Sequence, residues 1–303
     1  MPLHLLSPAV PAIACPRQLA ALLLALASTC AQAQSSISYS VGTGAGDYRS
    51  QALGGGIAPA SWPVQLDADL LQARESGAKV MDQYGLSVAW PLAPAWSLRY
   101  RWSNQKDTVF TVDGHDIGVT LRADKLWAGE LETRVDLGMA LFDYSGRNAT
   151  AAQSRLLPDQ RRHSLGLRQD INKTLGVYAT YDQYQYSRDP VALARLLANS
   201  RRPRAGAAYA LASFASHGRT AGMTWAATDT LDIDISWGRT HTVLRQQQDV
   251  ARIAATLSAT RNASVTLAYS DNRNSAVQKP AGGTFIAADR SSALDLSLAW
   301  VFD

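Results

Sequence analysis

Residues 292–303 read SALDLSLAWVFD, and they sort by parity into two sets: Leu294, Leu296, Leu298, Trp300 and Phe302 on one face, Asp295, Ser297, Ala299 and Val301 on the other. Strict alternation marks a β-strand with unlike surroundings on its two sides. A half-buried strand of a soluble sandwich alternates in this way, and so does a strand with lipid on one face and a polar lumen on the other. The start of the chain separates the two.

Residues 19–28 read LAALLLALAS, with Arg17 before them and Ala31-Gln32-Ala33 after, the positive, apolar and A-x-A order of a secretory signal peptide. Residues 1–33 are therefore read as the leader and 34–303 as the exported domain, with a start codon at Met1 or downstream of it. Cys30 raises lipidation as an alternative, but Thr29 and Ala27 fit that signal poorly. Both cysteines, Cys15 and Cys30, lie in the leader, so the exported chain has no disulfide and no thiolate metal site. No stretch of it approaches the roughly 20 apolar residues that a membrane helix requires. If the protein resides in a membrane, it does so as strands. Removing Arg17 from 29 basic residues leaves 28 against 25 acidic ones, a net of +3, too balanced to imply a nucleic-acid partner.

The closing pattern recurs. In SLRYRWSN, Leu98, Tyr100 and Trp102 alternate with Arg99 and Arg101; in ELETRVDLGMALF, Leu131, Val135, Leu137, Met139 and Leu141 alternate with Glu132, Arg134 and Asp136. HDIGVTLRAD, HSLGLRQD, TLDIDISWG, ARIAATLSA and ASVTLAYS repeat it. Such segments, about ten residues long and separated by turns, are the signature of a transmembrane β-barrel. The links add a second test, because such barrels alternate short periplasmic turns with longer external loops. Short links fall at 91–95, 125–129, 171–174, 228–230 and 260–263, and longer ones between them at 107–114, 146–160, 188–217, 244–249 and 275–289.

Twelve strands result, near 35–45, 80–90, 96–106, 115–124, 130–144, 161–170, 175–187, 218–227, 231–243, 250–259, 264–274 and 290–302, with both termini periplasmic. Two further segments alternate, 64–73 and 205–215; they extend strands above the membrane, or the first replaces 35–45 as strand one. A count of fourteen is disfavoured because it would carry the long 146–160 link to the periplasmic side. Trp90, Trp96, Trp127, Trp225 and Trp300 lie near the periplasmic strand ends, the level that indole favours.

On these residues the chain resembles the Gram-negative outer-membrane β-barrels over its whole exported length: all-β, an antiparallel up-and-down transmembrane barrel of about 12 strands. The resemblance implies a bacterial outer-membrane location, contact with outer-membrane lipids and lipopolysaccharide, and recognition by the barrel-assembly machinery of a last strand ending on an aromatic residue. Here Phe302 stands one residue before the end.

Parity points Arg99, Arg101, Arg122, Asp124, Glu132, Arg134, Asp136, Arg168, Asp170, Asp182, Asp232, Asp234, Arg252 and Asp295 inward. Cross-strand ion pairs are expected, most of all among the strands at 96–106, 115–124 and 130–144, because unpaired charges in a narrow lumen are costly. Either these charges fill a closed interior, or they line a constriction that selects small polar solutes or saccharides. Tyr178, Tyr184 and Tyr186 share the inward parity, where they would stack on sugars unless they belong to the aromatic girdle. His115, His163, His217 and His241 take the lipid-facing parity at external strand ends. If Ala227 pairs with Leu231, then His217 faces His241 and Arg219 faces Arg239, a cationic patch suited to lipopolysaccharide phosphates. A hydrolase acting at the outer leaflet through Ser213 or Ser216 and His217 is the alternative. The spacing of the histidines offers no metal site, nothing calls for a cofactor, and His115 and Asp116 point to opposite faces, which breaks a protease dyad. Within the 188–217 link, a helix-compatible run at 191–197 precedes Arg201, Arg202 and Arg204, either a lid or a charged surface loop.

Overall fold

The computed structural model describes residues 33–302 apart from 46, 60–62, 194–213 and 279–283. Its strands are β1 (Ala33–Gly44), β2 (Tyr48–Pro59), β3 (Gln65–Glu75), β4 (Ala78–Ala93), β5 (Trp96–Asp107), β6 (Phe110–Arg122), β7 (Thr133–Gly146), β8 (Gln160–Asp170), β9 (Leu175–Tyr186), β10 (Ala215–Ala226), β11 (Leu231–Thr242), β12 (Gln247–Ser258), β13 (Ala263–Asn274), a short pair β14 (Val277–Gln278) and β15 (Thr284–Ile286), and β16 (Asp289–Phe302). Fourteen of them, all but β14 and β15, form one closed antiparallel barrel in which each lies beside its chain neighbour and β1 closes on β16. The count expected from the sequence was twelve.

The two strands missing from that count are β2 and β3. β2 reads YRSQALGGGIAP, and its three glycines carry no side chain from which alternation can be read. Gly56 is required by close approach: a Cβ there would lie 2.4 Å from an Asp67 carboxylate oxygen on β3. β3 covers the 64–73 segment and is the third strand, so it neither extends another strand nor replaces the first. Both added strands precede the 146–160 link. Every later strand therefore keeps its direction, and the objection to fourteen strands falls away. Of the 205–215 segment, Ala215 opens β10; residues 205–213 lie outside the described residues.

The links divide the barrel ends largely as expected, although the short link expected at 125–129 spans 123–132 and several expected or possible long links are tight. The longest, at 147–159, 187–214 and 275–288, share one end. The expected long links at 107–114 and 244–249 shrink to 108–109 and 243–246, because the flanking strands pair further than their hydropathy shows. The Ser76–Gly77 hairpin at the same end is also tight, with both residues at positive φ.

The outer wall carries exposed Leu137, Met139, Leu165, Leu167, Ile235, Ile253, Leu257, Leu267, Leu296 and Leu298, and Trp90, Trp96, Trp127, Trp225 and Trp300 are all exposed at the short-turn end. A continuous apolar wall of this extent, bordered by indoles, suits lipid and no aqueous surface. The packed core sits elsewhere, inside the long-link end. There Val109, Phe110, Val112, Leu193 and Phe214 are buried, with Phe142, Tyr144, Leu157, Tyr186 and Leu244 packed against them. Asp107 fixes the tight β5–β6 turn beneath this cluster, its carboxylate accepting from the backbone N–H groups of Val109 and Phe110. The following link is strapped to the same turn, since the N–H groups of Arg147 and Asn148 both donate to the Val109 carbonyl.

Candidate translocation lumen

The lumen is built by one device used repeatedly: two polar side chains meet across a strand that presents a small residue between them. Asp69 on β3 and Arg101 on β5 pair at 2.8 Å over Gly85 of β4, where a Cβ would clash with both. Asp116 on β6 and Arg162 on β8 pair over Ala140, the register partner of each on β7. Arg168 on β8 reaches Thr224 on β10 at 3.2 Å past Gly176, and Tyr178 on β9 donates to Asp234 on β11 at 3.1 Å past Gly222. Any side chain at the glycines, or one larger than methyl at Ala140, would occupy the space the pair needs.

These contacts form two tiers. Toward the long-link end, Arg99 lies 3.7 Å from Asp116, Asp116 bonds Arg162, and Arg162 lies 3.9 Å from Asp182. Toward the short-turn end, Arg134 and Thr120 both bond Asp136, Arg168 lies 3.5 Å from Asp170, and Arg252 lies 3.5 Å from Asp234. A cavity of about 410 Å3 opens there among Arg168, Asp170, Thr224, Asp232, Asp234 and Thr256. Another of about 230 Å3 brings Arg134, Asp136, Arg168, Tyr178 and Asp234 together. The arginines reach solvent while their partners are more covered: the Arg99 side chain is 62% exposed, whereas its partner Asp116 is 12% exposed.

The opposite wall carries mostly short side chains, with Tyr48 of β2 standing beside Gly44 at its long-link end. On the lumenal parity β1 presents Ser36, Ser38, Ser40 and Gly42, β2 Gly54 and Gly56, β16 Ser297 and Ala299, and β13 Thr266 and Ala268. Asp295 stands alone among them, close beside Gly42 and Ser50.

Three of the residues expected in the lumen lie instead at its short-turn rim. Asp124 sits in a 3-10 turn (Ala123–Lys125) and is almost fully buried. It accepts from Arg122 through both oxygens and from the Thr133 N–H, and the Arg122 guanidinium holds its carboxyl well below the usual range. Glu132 lies just before β7, 3.7 Å from Arg122 and from Arg134. Asp67, Asp69, Asp116 and Arg162 line the lumen but are not among the inward charges read from sequence, Asp116 being named there only as pointing away from His115. The aspartates of β3 went with the uncounted strand; Arg162 has the parity of Arg168 within a recognised strand, and that signal sufficed to find it. Of the tyrosines, Tyr178 faces a lumenal cavity, while Tyr186 joins the apolar cluster and bonds the Ala215 carbonyl and Gln160.

On the outer wall, His217 pairs with His241 and Arg219 with Arg239, the register argued from the β10–β11 turn. The two imidazoles stack at 4.5 Å between centroids. Arg239 makes two hydrogen bonds to Asp249 and lies over the Trp237 ring, which Arg219 also approaches. His163 occupies the same level on β8, opposite Gln183. His115 bonds the Tyr100 hydroxyl on the outer wall, while Asp116 faces the lumen. Ser216 lies 3.1 Å from His217 Nδ1 and donates to the His241 carbonyl, and among the described residues no carboxylate contacts His217; Ser213 lies outside the described residues. That arrangement lacks the third group that would orient a catalytic base.

A closed antiparallel barrel with a lipid-compatible exterior and a charged, hydrated interior defines an outer-membrane β-barrel. No protein-family model and no curated protein matches the chain. Among solved structures it is similar to Pseudomonas aeruginosa OccK8 (OprE), with a TM-score of 0.50 and 10% identity over 89% of this chain and 98% of that one. It is also similar to CdiB from Acinetobacter baumannii, with a TM-score of 0.51 and 10% identity over 89% of this chain and 60% of that one. At such identity the likeness is one of fold.

Proposed function

We propose that the protein is a passive outer-membrane channel for small polar solutes or saccharides, exported with residues 1–33 as its leader and assembled through its aromatic-ended last strand. The observation that carries this reading is the two-sided lumen. Paired but hydrated arginines and aspartates occupy β3 to β12, against a wall of Ser, Gly, Ala and Thr on β13, β16, β1 and β2. Long charged side chains held to one wall by partners, opposite a wall of mostly short side chains, leave an eccentric aqueous path rather than a filled interior. The cavity that places Arg134, Arg168, Asp136, Asp234 and the Tyr178 ring together offers donors, acceptors and an aromatic face to a hydroxylated solute. The long links then face the outside, and the apolar cluster narrows that mouth over β6 to β11.

Single-channel recording on residues 34–303 refolded into a planar bilayer tests the reading. Discrete conductance steps are expected, with a reversal potential in a salt gradient that moves toward cation preference in Arg99→Ala and Arg101→Ala. Silence from a barrel demonstrably inserted in the bilayer would overturn it.

A further inference from the structure

We infer that the outer wall carries a site for a phosphorylated lipid of the outer leaflet, formed by Arg49 and Arg74 above an apolar groove on β16, β1, β2 and β3; from the preceding section this takes only the orientation of the barrel. Arg49 and Arg74 are register partners on adjacent strands and both are exposed on the lipid-facing side. Like charges directly opposite each other in a sheet destabilise it unless something compensates them. The other two outward pairs of facing arginines are compensated. Arg219 and Arg239 have Asp249 bonded to Arg239, and Arg273 and Arg290 share Asp271, with contacts of 2.9 Å from each. Among the described residues no carboxylate reaches salt-bridge distance of Arg49 or Arg74. Asp82, the nearby acid on this face, is already held by Lys79 at 2.6 Å and by Gln72 at 3.2 Å.

The surroundings indicate what the missing anion belongs to. Below the Arg49–Arg74 level comes Gln51 bonded to Gln72, flanked by Val41 and Leu296, and below that the register row Leu298, Tyr39, Leu53 and Leu70. Cation, amide, then hydrocarbon, descending from the long-link end, is the order in which a phosphorylated lipid presents phosphate, linkage and acyl chains. The groove beside the two arginines measures about 690 Å3 and is lined by Val41, Thr43, Gln51, Gln72, Leu294 and Leu296, which is room for a headgroup and the start of its chains. Two guanidinium forks converging on one phosphate would make charge-assisted hydrogen bonds and remove the repulsion between them. Lys79, register partner of Arg74 on β4, extends the same cationic level. The patch at His217 and Arg239, by contrast, already holds its own carboxylate.

The test uses residues 34–303 in detergent micelles with three probes: bisphosphorylated lipid A, the same lipid enzymatically dephosphorylated, and inorganic phosphate. Lipid retained by the folded barrel is measured by native mass spectrometry over a concentration series, and channel conductance is recorded separately so that the two readings fail independently. The unaltered protein should bind the phosphorylated lipid about thirtyfold more tightly than either the dephosphorylated lipid or the Arg49→Gln/Arg74→Gln double variant binding the phosphorylated form, and Arg261→Gln, an exposed cation in a short turn at the other end of the barrel, should bind as the unaltered protein does. Equal binding of the two lipids, or of the double variant and the unaltered barrel, would overturn the assignment. So would inorganic phosphate displacing the lipid at equal concentration, since that marks a free-anion site. If the double variant does not refold, the comparison of the two lipids on the unaltered protein decides the question.

Discussion

Asp116 serves two arginines from a nearly buried position, bonding Arg162 on one side and facing Arg99 on the other. Replacing it with Asn keeps the shape and removes the charge, which leaves Arg99 and Arg162 facing each other without the carboxylate between them. The loss is expected to be about 2 kcal/mol, the scale of a hydrogen-bonded charge contact, read as a lowered urea midpoint for the barrel in lipid vesicles. The same variant should shift the reversal potential toward anions, opposite in sign to Arg99→Ala. An unchanged midpoint would show that Asp116 is held by solvent rather than by its arginines. At this scale parity is a strong guide. It places Arg99, Arg101, Arg134, Asp136, Arg168, Asp232, Asp234 and Arg252 on the inner face from the order of residues alone. It does not show that Asp124 and Glu132 fall in the link between β6 and β7, because a 3-10 turn has no alternation to break, nor that Arg122 at the end of β6 reaches down to them. Nor does it reveal partners, since Asp116 and Arg162 are separated by an entire strand.

The intervening strands make those partnerships possible through their smallest residues. Gly85 of β4 has Asp69 and Arg101 on either side, with the Arg101 guanidinium 2.7 Å from where a Cβ would stand. Gly85→Val should therefore separate that pair and change the conductance without the shift toward cation preference of Arg101→Ala, since both charges remain, and with little change in the amount of folded barrel because valine favours strands. A variant that conducts like the unaltered protein would mean that the pair can reform past the branched side chain. Glycine also explains what sequence left hidden among the elements. In β2 the run Gly54-Gly55-Gly56 erases the hydropathic alternation while leaving the ladder hydrogen bonds intact, so the strand is invisible to any reading of side chains. β3 was visible as an alternating segment but could not be placed without its partner. Adding one strand alone would have inverted all that followed, and only the pair preserves the direction of the rest.

Across the whole molecule, a barrel whose exterior is apolar and whose interior is charged reverses the usual order, and among the described residues its dry core is the cluster inside the long-link mouth. Phe110, Tyr144, Tyr186 and Phe214 meet there from β6, β7, β9 and the approach to β10, with Phe214 stacked on Tyr144 and edge-on to Phe110. The double variant Phe110→Ser/Phe214→Ser should loosen this cluster and raise single-channel conductance, leaving the ion preference to the arginines below. Unchanged conductance in the folded variant would place the narrowest point lower in the lumen. No local pattern announces such a cluster, because its members are ordinary inward positions on strands far apart in sequence. Circular closure has one more implication. Each barrel strand pairs with its chain neighbours, and Ser35 stands opposite Phe302 where the first and last strands meet. The order of strands is thus a ring rather than a line, and the position of the chain ends is a matter of how the polypeptide is synthesised and delivered. The folded wall itself has no first strand.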